Sequence, residues 1–299
     1  MISVRALRSL LKDTIQEWMD DRAPQLAAAL AFYSIFSFAP VLIIVIAVAS
    51  MAFGREAVRE ELLSRFREFL GPQGVRAVRA VIEQARERSY LATAIGAATL
   101  AFGATAVFAE LQEALNTVWG VKVKPGRSTK AFLRKRVLSF LMVIALGLML
   151  LASLLLSTAI SAAAEFVEGT LFLPPVVQQT VQFVVSFVVV MVLFACVYKV
   201  LPDVRMAWTD VWVGAAATAL LFTIGKSLIG FYLATTSVGS AYGAAGSLVL
   251  LLVWVYYSAQ VFLFGAEFTE VYARHRGRPI EPDQNALRVG KLASRAPAE

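Results

Sequence analysis

Long apolar runs separated by short charged segments set the pattern of this chain. The longest such region, 212–272, contains a single charged residue, Lys226, before Glu267, and reads as two apolar helices. A small-residue run, Thr235-Thr236-Ser237-Val238-Gly239-Ser240-Ala241-Tyr242-Gly243, joins them. About 20 residues at 1.5 Å per residue cross the hydrocarbon of a bilayer. Six stretches reach that length: 24–53, 90–119, 137–164, 176–200, 211–234 and 244–272. The pattern predicts an all-α integral membrane protein with six transmembrane helices in a membrane domain over 24–272.

Two further patterns flank and interrupt the spans. Over 1–23, Leu7, Leu10, Leu11, Ile15, Trp18 and Met19 recur at spacings of three and four, with Arg5, Arg8 and Lys12 on other faces. This is the signature of an amphipathic helix lying in the interface. Charge interrupts its apolar residues and no small-residue cleavage site follows, so it is not read as a signal peptide. Over 54–89, Val58, Leu62, Phe66, Phe69 and Leu70 form one stripe, Gly71-Pro72 breaks it, and Val75, Val78, Ile82 and Ala85 form another. These predict an amphipathic helical pair outside the hydrocarbon, on the extracytoplasmic side. Eight arginines and six glutamates between Arg55 and Arg88 make it a charge-balanced collar.

Composition agrees with this reading. Hydrophobic residues make up 59% of the 299 and charged residues only 16%, too apolar for a soluble chain of this size. The net charge of +7 matters through its placement. With both termini in the cytoplasm, the cytoplasmic segments carry 4, 7, 2 and 6 basic residues and the opposite side 8, 0 and 0. The eight belong to the balanced collar, so the positive-inside rule supports this orientation. Seven of the cytoplasmic cations lie between Gly120 and Arg136 without an acid. The tail, 273–299, with six basic residues and the single histidine, His275, reads as disordered. The lone Cys196 offers neither a disulfide nor a thiolate metal site. No cofactor, metal or catalytic constellation is expected. Gly225-Lys226-Ser227 lacks the earlier glycine of a phosphate loop and lies inside an apolar helix.

The remaining chemistry is a sparse intramembrane set. Lys226, Glu110, Glu113 and Glu267 lie within or near the ends of spans, and charges in hydrocarbon either pair or work. Lys226 stands fifteen residues into its span, roughly 22 Å from the cytoplasmic end, and Glu110 roughly 13 Å from the same side. A lysine reaching down bridges that gap, which predicts a Lys226–Glu110 pair, with Glu267 as the other candidate partner. The pair either fixes helix register or binds a charged headgroup or relays protons. In the first span, Tyr33, Ser34, Ser37 and Pro40 place hydroxyls beside a helix breaker, either lining a cavity or bonding their own backbone. Gly239, Gly243 and Gly246 form a small-residue face, for close helix packing or as a gate hinge.

Several of these residues fall in motifs. Ala27-Ala28-Ala29-Leu30-Ala31-Phe32-Tyr33-Ser34 with Ser37 and Pro40 comes first, then Trp119-Gly120 before the basic loop. Tyr198-Lys199-Val200-Leu201-Pro202-Asp203 follows, and then Tyr242-Gly243-Ala244-Ala245-Gly246-Ser247 through Trp254 to Gly265-Ala266-Glu267. In that order, over residues 20–272, they resemble the YihY/BrkB family of bacterial inner-membrane proteins. The resemblance implies a multi-pass protein of the cell envelope, linked in relatives to envelope integrity, serum resistance and, in one branch, transport of lipopolysaccharide precursors. It also transmits an older label, ribonuclease BN, to which no catalytic residue here corresponds. It places Lys226 and Glu267 at recurring motif positions.

The expectation is therefore a non-enzymatic transporter or flippase-like protein for a lipid or anionic amphiphile, partnered by membrane lipids and not by nucleic acid. Lys226 and the arginine collar would attract the headgroup. A non-transporting envelope scaffold is the alternative, and the ribonuclease of the old label a distant third. A homo-oligomer is compatible with the sequence.

Overall fold

The computed structural model describes residues 4–54, 94–124, 175–235, 246–278, 280–284 and 286–289, with isolated positions between them. Six helices dominate: α1 (Val4–Asp20), α2 (Ala23–Phe53), α3 (Ala94–Val118), α4 (Pro175–Val200), α5 (Trp208–Thr235) and α6 (Gly246–His275). Three are long and apolar enough to cross a membrane, over Phe183–Val200, Trp208–Tyr232 and Leu248–His275. The boundaries of α2 to α6 fall within a few residues of five of the expected spans. The third expected span, the arginine collar and most of the basic loop lie outside the described residues.

Helix α6 is the hub, packing on α1, α2, α3 and α5, while α2 also packs on α3, and α4 on α5. The α5–α6 pair shows how the sequence permits this. A Cβ on Gly214 would lie 1.8 Å from the Thr269 Oγ1, one on Gly265 1.9 Å from the Thr218 Oγ1, and one on Gly225 2.1 Å from the Tyr257 hydroxyl. The three contacts keep an antiparallel register to within one residue. Two are reciprocal, because each helix carries a glycine followed four residues later by a threonine. Each threonine hydroxyl donates back to the carbonyl of its own glycine, Thr218 to Gly214 and Thr269 to Gly265, both at 2.7 Å. That bond turns the threonine's polar edge inward along its helix and lets the residue sit as a compact knob over the partner's glycine. In hydrocarbon, where no apolar surface is gained by helix contact, such close packing is what holds helices together.

Helix α1 is amphipathic, but its two faces are used differently from a soluble helix. Leu10, Thr14 and Glu17 are buried, with Leu10 packed on Val271 and Tyr272 of α6. The apolar stripe Leu7, Leu11, Ile15 and Met19 is exposed. After Asp20 the chain turns through Arg22 at φ 52° into α2, where Pro24 occupies the first turn, a position at which its missing N–H has no helical partner. Pro40 lies inside α2, which continues to Phe53.

The tail differs from expectation. Residues 281–282 (β3) and 286–288 (β4) form short strands, β3 antiparallel to Val204–Arg205 (β2) and β4 antiparallel to Val121–Val123 (β1). Ile280 and Ala286 join the buried core, the Val289 N–H donates to the Gly120 carbonyl at 2.7 Å, and the Asp283 N–H to the Asp203 carbonyl at 2.9 Å. The stretch up to residue 289 was read as disordered because its charge masked two apolar anchors whose partners lie about 80 to 165 residues earlier. The fold is thus helical with two small strand pairs at one end.

Candidate functional site

The motifs singled out in the sequence converge. Ala27 and Ala31 of α2 are fully buried in the same core cluster as Trp119, Tyr198, Leu201 and Ala266. Trp119 donates its indole N–H to the Ala266 carbonyl at 3.3 Å and meets Tyr198 edge-on with centroids 6.1 Å apart. The Tyr198 hydroxyl donates to the Phe262 carbonyl at 2.7 Å and lies 3.0 Å from the Thr218 Oγ1. One turn beyond, Asn116 and Asp203 grip each other twice. The Asn116 Nδ2 donates to the Asp203 carboxylate at 3.0 Å, and the Asp203 N–H to the Asn116 Oδ1 at 2.9 Å. Gln112 adds a bond to the Leu201 carbonyl at 2.7 Å. These bonds tie α3, α4, α5 and α6 together at one end of the bundle.

Glu267 stands next to this network and takes no part in it. It is fully buried, and among the described residues neither carboxylate oxygen has a hydrogen-bond partner. The charged groups around it are Glu270, Glu17, Arg274 and Asp20, three carboxylates and one cation. Arg274 is already engaged, donating to Glu17 at 3.0 Å and lying 3.8 Å from Glu270. Burying an ionised carboxylate among like charges is far more costly than leaving it in water, so the site as built calls for a proton or another cation. Among the described residues no three His, Cys, Asp or Glu are grouped to hold a metal ion.

Helix α1 supplies half of this site. Glu17 comes from its buried face, and Asp13 lies 3.0 Å from the His275 Nε2, so an ion pair to Arg274 and a contact to His275 fasten α1 to the end of α6. This contribution was invisible to a reading that placed α1 on the membrane surface by its apolar stripe. Glu17 breaks the stripe, and that was the available signal.

The other expected site residues are dispersed. Lys226 is half-buried on α5, Glu110 half-buried and Glu113 exposed on α3. A Lys226–Glu110 pair is not among the ion pairs of the described residues. Its physical reason is azimuthal. Helix α3 packs on α2 and α6, and α5 on α4 and α6, so similar axial heights do not make the two helices neighbours. Glu267 is likewise surrounded by α1 and its own helix, not by Lys226. On α2, Ser37 is buried, Ser34 and Pro40 half-buried and Tyr33 exposed, in edge-on contact with Phe32. Gly246 is buried at the start of α6, while Gly239 and Gly243 lie outside the described residues. Close helix packing of the same kind is present at Gly214, Gly225 and Gly265.

Comparison with known proteins places the chain. It is 29% identical over 252 residues to a UPF0761 membrane protein of Tolumonas auensis, covering 83% of this chain and 80% of that one. It is 27% identical over 267 residues to one from Janthinobacterium sp. (strain Marseille), covering 88% of this chain and 59% of the relative. A Pseudomonas aeruginosa relative is 25% identical over 251 residues, again 59% of its length. The chain therefore spans little more than half of several relatives it matches. No solved structure matches it. The family profile described as virulence factor BrkB matches residues 14–288, from the buried face of α1 to the last paired strand, and the chain belongs to that family of membrane proteins.

Proposed function

We propose that this protein carries a lipid or anionic amphiphile across the bacterial cytoplasmic membrane and that Glu267 is its proton-coupling group. The single observation behind the reading is a fully buried carboxylate whose two oxygens have no hydrogen-bond partner among the described residues, on a helix long and apolar enough to span a bilayer. Intramembrane carboxylates of this kind are the working parts of proton relays. The acidic neighbours make a second charge at the site unfavourable, and Arg274, shared with Glu17 and Glu270, can swing its allegiance when Glu267 gives up a proton. In this reading the chain has six spans with both termini cytoplasmic, α1 lies in the interface with Leu7, Leu11, Ile15 and Met19 toward lipid, and Lys226 draws the headgroup. No catalytic or nucleic-acid role is assigned.

The test is reconstitution into vesicles of phosphatidylethanolamine and phosphatidylglycerol carrying a fluorescent phosphatidylglycerol, with movement between leaflets read by dithionite quenching under an imposed pH gradient. Wild type is expected to accelerate exchange in a gradient-dependent manner, Glu267→Gln to abolish the gradient dependence and Glu267→Asp to retain part of it. Identical gradient dependence in wild type and Glu267→Gln would remove the coupling role. A scaffold remains the second reading, favoured by the strand pairs and the Asn116–Asp203 grip that stiffen one end of the bundle. It requires that all three proteins move no lipid.

A further inference from the structure

The β1–β4 ribbon has two unlike faces. Its register sets Lys122 opposite Leu287 and Val121 opposite Arg288, and the bond from the Val289 N–H to the Gly120 carbonyl extends the ladder by one pair. Side chains alternate along a strand, so Val121, Ala286 and Arg288 share one face and Lys122, Leu287 and Val289 the other, with Lys124 continuing it. The first face is turned inward. Val121 and Ala286 lie in the core cluster, and Arg288 donates to the Ile280 carbonyl at 3.0 Å. On the second face Leu287 is 49% and Val289 40% exposed, and both lysines are exposed. Lys124 spends one of its three donors on the Gln284 carbonyl at 2.8 Å. Guarding an edge strand explains exposed lysines, but not a leucine and a valine beside them.

This face lies at the height of the lipid headgroups. Trp208 and Trp212, both exposed with ring centroids 6.4 Å apart, stand at the start of α5, where aromatic rings mark the boundary of a bilayer. The α5–α6 register, with Gly214 against Thr269, puts that pair level with the last turns of α6. Trp119, at the end of α3, bonds the Ala266 carbonyl near the same level. Three residues of chain, at most roughly 10 Å, lead from Trp119 to Lys122.

The charge around the ribbon has one sign. From Gly120 to Arg136 the sequence carries seven Lys or Arg and no acid. A soluble polyanion would satisfy the lysines and leave Leu287 and Val289 in water, whereas an uncharged membrane would do the reverse. We propose that the outer face of this ribbon docks on anionic phospholipids of the adjoining leaflet, Leu287 and Val289 entering between the headgroups while Lys122 and Lys124 meet the phosphates. The contact is separate from Glu267 and from α1. It depends neither on transport nor on which side of the membrane this end of the bundle faces.

The experiment places a nitroxide at Leu287→Cys in the full chain carrying Cys196→Ser, reconstituted in nanodiscs of phosphatidylcholine alone or of phosphatidylcholine and phosphatidylglycerol in equal parts. Electron paramagnetic resonance reads collisions of the nitroxide with the neutral nickel ethylenediaminediacetate complex. Each lysine near an anionic surface is worth roughly fivefold in partition, so phosphatidylglycerol is expected to lower nickel accessibility at position 287 by at least that factor. Lys122→Glu with Lys124→Glu is expected to abolish the effect while the protein still elutes as wild type. Equal accessibility in the two lipids overturns the proposal, as does protection that survives both charge reversals. Protection by added poly-glutamate but not by phosphatidylglycerol overturns it in favour of an acidic protein partner. Since no gradient or flux enters the measurement, failure here leaves the role of Glu267 standing, and failure of lipid movement leaves this surface standing.

Discussion

Gly265→Ala is the sharpest test of the α5–α6 register, because local propensity and packing demand opposite signs. In a helix interior, alanine is favoured over glycine by about 1 kcal/mol, so a register error would make the substitution neutral or stabilising. With the register described here the new Cβ would lie 1.9 Å from the Thr218 Oγ1, 2.8 Å from its Cβ and 2.7 Å from the Tyr198 hydroxyl. Relief requires a shift of roughly 1.5 Å to reach ordinary contact distance. Neither neighbour yields easily. Thr218 is β-branched and tied to the Gly214 carbonyl, and Tyr198 is tied to the Phe262 carbonyl. Overpacking of this kind costs about 1–3 kcal/mol, and displacing the Tyr198 hydroxyl from the Phe262 carbonyl about 1 kcal/mol more. After the propensity gain the net loss is about 1–3 kcal/mol, or roughly 3–10 °C in melting temperature. The assay is the temperature at which half of the protein remains monodisperse on gel filtration in mild detergent. Gly230→Ala, on the same bundle, is the internal control, since nothing lies within 4 Å of its added Cβ, and it is expected to be neutral or stabilising. Thr218→Gly should restore part of the loss in the Gly265→Ala background. If Gly265→Ala melts as high as Gly230→Ala, the glycine–threonine interlock is wrong.

Two further substitutions separate stability from function. Asn116→Leu removes both links to Asp203 and is expected to destabilise the protein by about 1.5–3 kcal/mol, read in the same melting assay, whereas the exposed Glu113→Gln one turn away should leave melting unchanged. Glu267→Met replaces a buried, unpartnered carboxylate by an apolar side chain of similar volume and should be neutral or stabilising by about 1–4 kcal/mol, while gradient-dependent lipid movement is lost. A clear drop in melting temperature for Glu267→Met would show that the carboxylate holds the fold together.

The long apolar helices were legible because apolar length is a one-dimensional property. An uncharged stretch of sufficient length reports itself, and α2 and α5 begin and end within about three residues of where apolar length placed them. Partnership was not legible, because it depends on azimuth as well as height. Counting turns put Lys226 above Glu110, yet their helices share α6 as a neighbour and otherwise pack on different partners, α3 on α2 and α5 on α4. Glu267 acquired Glu17 of α1, 250 residues earlier, as a neighbour, and Arg274 of its own helix ties that Glu17 in place. The strand pairs were lost for a related reason. Two or three residues such as Ala286-Leu287-Arg288 carry no period, and only pairing with Val121–Val123 makes them a strand. One signal was present and unused. Gly214 with Thr218 and Gly265 with Thr269 repeat the same four-residue spacing in consecutive spans, which is how two helices offer each other a groove and a knob.

The position of Glu267 within that interlock argues against its being a by-product of packing. Within little more than one turn of α6 the carbonyls of Phe262, Gly265 and Ala266 each receive a side-chain hydrogen bond, from Tyr198, Thr269 and Trp119. Those three donors are directed at neutral carbonyls, and the Glu267 carboxylate is passed over. A fold that needed Glu267 ionised would have turned one of those donors toward it, at a gain of about 1.5–3 kcal/mol for a bond to a charged acceptor. A fold with no use for a carboxylate would have filled the space with leucine, as it did at Leu263 on the same helix. What remains is a group kept free of fixed partners in a rigid frame, next to an arginine that already divides itself between two other carboxylates. Such a group can exchange a proton without dismantling the bonds around it, because none of those bonds includes it.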